Sequence, residues 1–154
     1  MFDNNSQARK EALIFLKDNV VMAVATAGKS GEPQVAAVYY TMDDDFTFYF
    51  LTSRESKKAE NIGSNKNVAF TAWGERGIVM VQGNGHAELV PDKQEGIVLR
   101  ISKKLRAMEP YHWPLLEVLN KDYISVKVVP RWLTWLSIDG KNPGDFARHY
   151  ERII

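Results

Sequence analysis

"VVMAVATAGKSGEPQVAAVYYTMDDDFTFYFLT", from Val20 to Thr52, decides the fold. It holds three apolar runs rich in β-branched and aromatic residues, each too short for a typical helix and each bounded by turn signals. "VVMAVATA" ends where Gly28, Gly31 and Pro33 punctuate the chain. "QVAAVYYTM" follows, and Asp43–Asp45 read as a solvated hairpin tip. That acidic cluster lacks the regular alternation and distal glutamate of a calcium loop. In "FTFYFLT" the period-two alternation sets Phe46, Phe48 and Phe50 on one face. Strands joined by such short polar turns pair antiparallel.

The flanks extend the same pattern. Ser6 to Lys17 places Ala8, Ala12, Leu13, Phe15 and Leu16 at helical spacing, with Ser6 as a cap. Residues Arg54 to Ser64 read as a second helix, with Ala59 and Ile62 inward and a stop at Gly63–Asn65. "NVAFTAWG" and "GIVMVQGNGHAELV" are further strands, and Gly83 and Gly85 sit where a bulge lets the long one bend. Pro91–Asp92 opens a helix to about Arg106, "MEPYHWP" is a rigid loop, and "PLLEVLN" is a short helix. "DYISVKVVPRWLTWLSI" is a final strand interrupted by Pro130, and the polar tail after Gly140 is expected to be loosely attached. Alternating βα units are absent, so the expectation is a small antiparallel barrel with peripheral helices in one domain spanning residues 1–154.

Composition narrows the function. Twenty basic against nineteen acidic residues leave a formal charge of +1, without the basic excess of a nucleic-acid domain. There is no cysteine, which excludes disulfides, thiolate metal sites and thiol nucleophiles. No apolar run approaches the ~20 residues that span a bilayer, and the first nineteen residues lack a signal peptide's apolar core. A cytoplasmic protein without a membrane partner is therefore expected. His86, His112 and His149 stand apart, with no partner at ligand spacing, so no metal site is predicted. No residue stands out as a general acid, base or nucleophile. "QGNGHAEL" contains Gly-x-Gly inside a strand, outside the context that binds dinucleotides.

One stretch could hold a ligand. In "TSRESKK", Thr52 and Ser53 end a strand, Ser53 is a candidate helix N-cap, and Ser56, Lys57 and Lys58 follow. The free N–H groups of a first helical turn and the helix dipole favour an anion there. Two lysines and the hydroxyls can add charge-assisted hydrogen bonds. The plainer reading is a capped helix with a solvated basic face, and Glu55 serves the dipole without any ligand. On these residues alone both readings stand.

The order of motifs resembles the pyridoxamine 5′-phosphate oxidase-like flavin-binding split-barrel family. The matching text is "VATAGKSGEPQVAAVYYTMDDDFTFYFLTSRESKKAENIGSNKNVAFTAW", with "VMVQGNGHAELV" and "VKVVPRWLTWL" downstream. The resemblance implies a mainly β, six-stranded antiparallel split barrel that forms homodimers, with FMN in clefts at the subunit interface. It implies that Thr52, Ser53, Ser56, Lys57 and Lys58 hold the FMN phosphate. Ala37, Val38, Tyr39 and Tyr40 are expected along the isoalloxazine ring, and Gln82 and Trp132 are expected to complete the pocket from the partner subunit. Two departures bear on the substrate. The second strand has no arginine or lysine, and the C-terminal region lacks the family's Arg/His pattern that grips a substrate phosphate. Pyridoxamine phosphate is therefore not the expected substrate. The resemblance leaves open a redox enzyme, a non-catalytic flavin carrier or sensor, and a relative that binds heme or a deazaflavin.

Overall fold

The chain is described by a computed structural model covering residues 6–74, 78–107, 122–138 and 150–154. Helix α1 (Gln7–Asp18) leads into strands β1 (Val21–Ala27), β2 (Pro33–Met42) and β3 (Phe48–Ser53). Helix α2 (Lys57–Ser64) precedes β4 (Asn67–Trp73) and β5 (Ile78–Leu89). A 3₁₀ turn at Pro91–Lys93 opens α3 (Gln94–Arg106), and β6 (Tyr123–Ile138) and β7 (Tyr150–Arg152) follow. All pairings are antiparallel, in the order β3-β2-β1-β4-β5-β6-β7, and β3 also pairs with β6. That last ladder closes six strands into a barrel, as the sequence predicted, with three α-helices around it among the described residues.

Alternation builds the barrel core. Met22, Val24 and Thr26 point inward from β1, as do Val68, Phe70 and Ala72 from β4. Phe48 fills the middle, edge-on to Phe70 at 5.0 Å and to Tyr40 at 5.8 Å. Phe46 is fully buried, yet it lies in the turn before β3 with φ of 68°. A left-handed backbone at a bulky residue costs about 1–3 kcal/mol, comparable with the ~1.5–3 kcal/mol gained by burying its ring. The Asp43–Asp45 tip supports the bend: Asp45 Oδ1 accepts from the Thr47 N–H at 2.9 Å, which holds its carboxyl below the usual range.

The predicted bulge is present. The β5–β6 register skips one residue between Asn84 and Gly85, so that Gly85 faces Pro130 and Asn84 faces Trp132, with Arg131 the extra residue. Pro130 does not break β6, because the bulge absorbs it. A Cβ at Gly83 would meet the Trp132 carbonyl and, at 2.8 Å, Leu133 Cδ2; one at Gly85 would lie 2.5 Å from the Val129 carbonyl. Only glycine permits these strand crossings.

Two expectations need correction. The chain end is not loose: β7 pairs with β6, and Ile153 is buried against the barrel. Arg9 of α1 donates to the Ile153 carbonyl at 2.8 Å and lies over Phe46, which ties α1 to the residue that follows β7. The second helix begins at Lys57 rather than Arg54, and its N-cap is Ser56 rather than Ser53. Ser53 is still in β3, paired with Tyr123, so its backbone cannot open a helix. The loop and short helix predicted within residues 108–121 lie outside the described residues.

Candidate functional site

The corner between β3 and α2 gathers the predicted hydroxyls and lysines. Ser56 Oγ accepts from the Ala59 N–H at 3.1 Å and contacts Thr52 Oγ1 at 2.8 Å; the Ser56 carbonyl takes the Glu60 N–H. The N–H groups of Lys57 and Lys58, the first two helical positions, are left for a ligand or water. Ser53 spends its hydroxyl on the Glu55 N–H at 3.3 Å and helps shape the turn.

The two lysines differ. Lys57 Nζ is paired with Glu60 at 2.9 Å on an exposed face. Lys58 has no acid partner among the described residues, and burial pushes its ammonium below the ordinary lysine value. Ser56, Lys57 and Lys58 face Thr26, Gln34 and Ala36 across a cavity of about 130 Å³. Inside the corner, Asn61 is buried and donates from Nδ2 to Thr26 Oγ1 at 3.1 Å, tying α2 to β1. Sequence reading passed over Asn61 because a polar residue between two inward apolar positions looks like a surface residue.

Val35 also lines a second, wider cleft of about 350 Å³ on the outer face of β1, β4, β5 and β6. Its floor is small, formed by Ala23, Ala25, Ala69 and Gly83. Thr71, Gln82, Asn84 and Trp132 rise around it. Gln82 and Asn84 project outward on either side of Gly83, and Trp132 stands opposite Asn84. No charged side chain lines this cleft among the described residues. The outer face around it is apolar and exposed: Val35 keeps 68% of its surface, Trp73 51% and Ile78 45%.

The predicted residues thus fall into groups. Thr52, Ser53, Ser56, Lys57 and Lys58 share the corner, and Gln82 and Trp132 share the outer cleft. The part of β2 that lines the cradle cavity is Gln34–Ala36, and of these Val35 also lines the outer cleft; both lie upstream of the expected Ala37–Tyr40. Ala37 is exposed, but the Val38 and Tyr40 side chains are in the barrel core. The Tyr40 phenol donates to the Leu16 carbonyl at 2.7 Å, and burial raises its pKa far above the ordinary value. Tyr39 packs under α3 with Tyr49 and Ile97. Trp135 is buried against Phe15, on the side of β6 opposite Trp132. Gln34, Val35, Asn61 and Asn84 are the site residues that sequence reasoning missed. Among the described residues no cluster of His, Asp and Glu could hold a metal, and no helix is long and apolar enough to cross a membrane.

Known proteins place this geometry. No curated protein matches the chain significantly. A putative pyridoxamine 5′-phosphate oxidase from Listeria innocua superimposes with a TM-score of 0.65 at 21% identity, covering 84% of this chain and 98% of that one. An FAD-binding protein from Mesorhizobium loti gives 0.61 at 23% identity, with 82% and 91% covered. The heme storage protein HutZ from Vibrio cholerae gives 0.67 at 13% identity, with 83% and 94% covered. These likenesses show the barrel. The sequence profile of pyridoxamine 5′-phosphate oxidase matches residues 8–140, most of the chain, so this protein belongs to the pyridoxamine 5′-phosphate oxidase family.

Proposed function

We propose that the protein binds FMN and is an oxidoreductase acting on a small molecule that carries no phosphate. The observation that carries this is a pair of cavities that share Val35 in their walls. One is an anion site with a desolvated Lys58 that has no acid partner among the described residues, and the other is an uncharged cleft floored by alanines. The residues fit the group: N–H groups of Lys57 and Lys58, the Ser56 and Thr52 hydroxyls and the Lys58 ammonium suit a phosphate. The floor of Ala23, Ala25 and Ala69 leaves room for a flat ring, and Gln82 and Asn84 offer amides to its polar edge.

Bound flavin supplies hydride or electron transfer, which this cleft's own side chains do not offer. The protein's part is positioning. The corner fixes the phosphate end, the Asn61–Thr26 bond holds α2 against β1, and Trp132 closes one side of the cleft. A substrate then meets a neutral, apolar surface. Relatives of the same fold support a redox or cofactor-binding role, being named an FAD-binding protein and an F420 reductase.

We further propose a cytoplasmic homodimer in which the apolar outer face meets its copy. Trp73, Ile78 and Val35 are exposed there beside the cleft, so a partner subunit would both cover them and wall the site. The deciding experiment is titration of the purified protein with FMN, followed by anaerobic reduction with NADH or NADPH and reoxidation by oxygen or an added acceptor. A flavin band with turnover supports the enzyme. A bound flavin that no donor reduces supports a carrier, and no bound flavin refutes the reading.

A further inference from the structure

Two buried polar side chains back the cradle. Thr26 ends the inward row Met22, Val24, Thr26 of β1 and is 3% exposed; Asn61 comes from α2 and is 2% exposed. Burying a hydroxyl or an amide costs free energy unless hydrogen bonds replace water, so both side chains must place theirs inside the protein or on a ligand. Asn61 Nδ2 donates to Thr26 Oγ1 at 3.1 Å. The other end of the amide, Oδ1, faces Gly28, where a Cβ would sit 2.8 Å away, so the turn backbone closes over Asn61.

A threonine hydroxyl has a single hydrogen to give and lone pairs to receive with. The bond from Asn61 occupies a lone pair, and no acceptor among the described residues takes the hydrogen. The incoming N–H repels that hydrogen and turns it away from Asn61. Thr26 also lines the cavity of about 130 Å³ that Ser56, Lys57 and Lys58 face, so its hydroxyl has an open side there. The other polar groups gathered at that wall are donors too: the N–H groups of Lys57 and Lys58 and the Lys58 ammonium. No carboxylate lines the cavity among the described residues. Converging donors without an acid suit an anion.

We infer that Thr26 is a further anion-binding residue, its hydroxyl donating to the phosphate held at the start of α2, and that Asn61 is the positioning residue that aims it. The inference rests on the flavin reading for the identity of the phosphate and adds a contact from β1. Phosphate then bridges β1 and α2, the same two elements that the Asn61–Thr26 bond joins.

Calorimetric titration with FMN and with riboflavin, beside a thermal melt of each apoprotein, tests this. Thr26→Val keeps the shape and removes the hydroxyl. It should raise the Kd for FMN about tenfold or more, the effect of one hydrogen bond to a charged group, and leave riboflavin within about twofold. Thr26→Ser keeps the hydroxyl and should hold FMN within about threefold of wild type. Asn61→Leu frees the hydroxyl to rotate and should weaken FMN about three- to tenfold. In the Thr26→Val background it should add nothing further, because both residues act through one contact. Thr26→Ala takes the place of valine if the valine variant does not fold. FMN within about twofold of wild type in Thr26→Val, no rescue by serine, or equal losses for FMN and riboflavin would reduce the pair to packing α2 on β1. The inference is then overturned while the flavin site stands. Additive losses in the double variant overturn the role of Asn61 alone. Wild type that binds no FMN refutes the flavin reading and this contact together.

Discussion

Replacing Lys58 by alanine should weaken FMN while making the unliganded protein more stable, and the two effects have one cause. Burial holds the Lys58 ammonium below its ordinary pKa, with no acid among the described residues to compensate it. The free protein therefore carries the desolvation of a charge, and removing that charge should raise Tm. Bound phosphate would supply the missing partner. A hydrogen bond to a charged group contributes about 1.5–3 kcal/mol, so Lys58→Ala should raise the Kd for FMN about 10- to 150-fold. Lys57 behaves differently because it must first leave Glu60. An exposed pair of that kind contributes ~0–1 kcal/mol, which leaves Lys57→Ala a smaller loss than Lys58→Ala, down to about twofold where the pair is strongest. The assay is isothermal calorimetry with FMN and riboflavin, beside a thermal melt of each apoprotein. Riboflavin lacks the phosphate and should bind all three proteins alike. If Lys58→Ala keeps FMN affinity within about twofold, or loses riboflavin equally, the lysine does not contact phosphate and the cradle assignment fails.

Three other outcomes test neighbouring parts. Gly83→Ala drives a Cβ into the Trp132 carbonyl and should cost ~1–3 kcal/mol, lowering Tm by several degrees; Gly63→Ala, with nothing within 4 Å on helix α2, should raise it slightly. Trp73→Glu places a charge on the exposed outer face and should convert the proposed dimer to monomer in light scattering, whereas a wild-type monomer would sink the dimer proposal. Burial lowers Lys104 from the ordinary 10.5 to about 8, with Asp18 pulling the other way, while its Nζ donates to the Leu16 carbonyl at 3.0 Å. The unfolded chain then holds more protons between those values, so the stability of wild type relative to Lys104→Met should increase as pH rises from about 8 to about 10.5. Paired urea melts at pH 7.5 and 10 check the sign.

The fold was legible because the strands carry their own partners. Turn residues at Gly28–Pro33 and Asp43–Asp45 allow few pairings besides β1–β2–β3, and the glycines of β5 announce the bulge that turns the barrel. Closure of β3 onto β6 spans more than seventy residues, and no local pattern encodes it. The tail misled for a related reason. "YERII" offers only a short apolar signal, and β7 exists because β6 presents an open edge and α1 presents Arg9 to the Ile153 carbonyl. Local propensity cannot report a strand whose stability lies in its neighbours.

The site was legible at the corner and blurred elsewhere, and the difference follows from where each signal resides. Hydroxyls and lysines between Thr52 and Lys58 act within two turns of chain, so spacing finds them even though the cap moved from Ser53 to Ser56. The segment beside the ring was expected at Ala37–Tyr40, because the tyrosines look functional, whereas the residues of β2 that line the cavities are Gln34–Ala36. In the barrel, alternation sends Tyr40 inward to Leu16, and α3 covers Tyr39 from outside. What remains is small: Val35 and Ala36 at the cradle, and the alanines of β1 in the outer cleft. A cleft for a flat ring needs such residues for the space they leave. Space has no motif, so it is read only after the barrel closes around it.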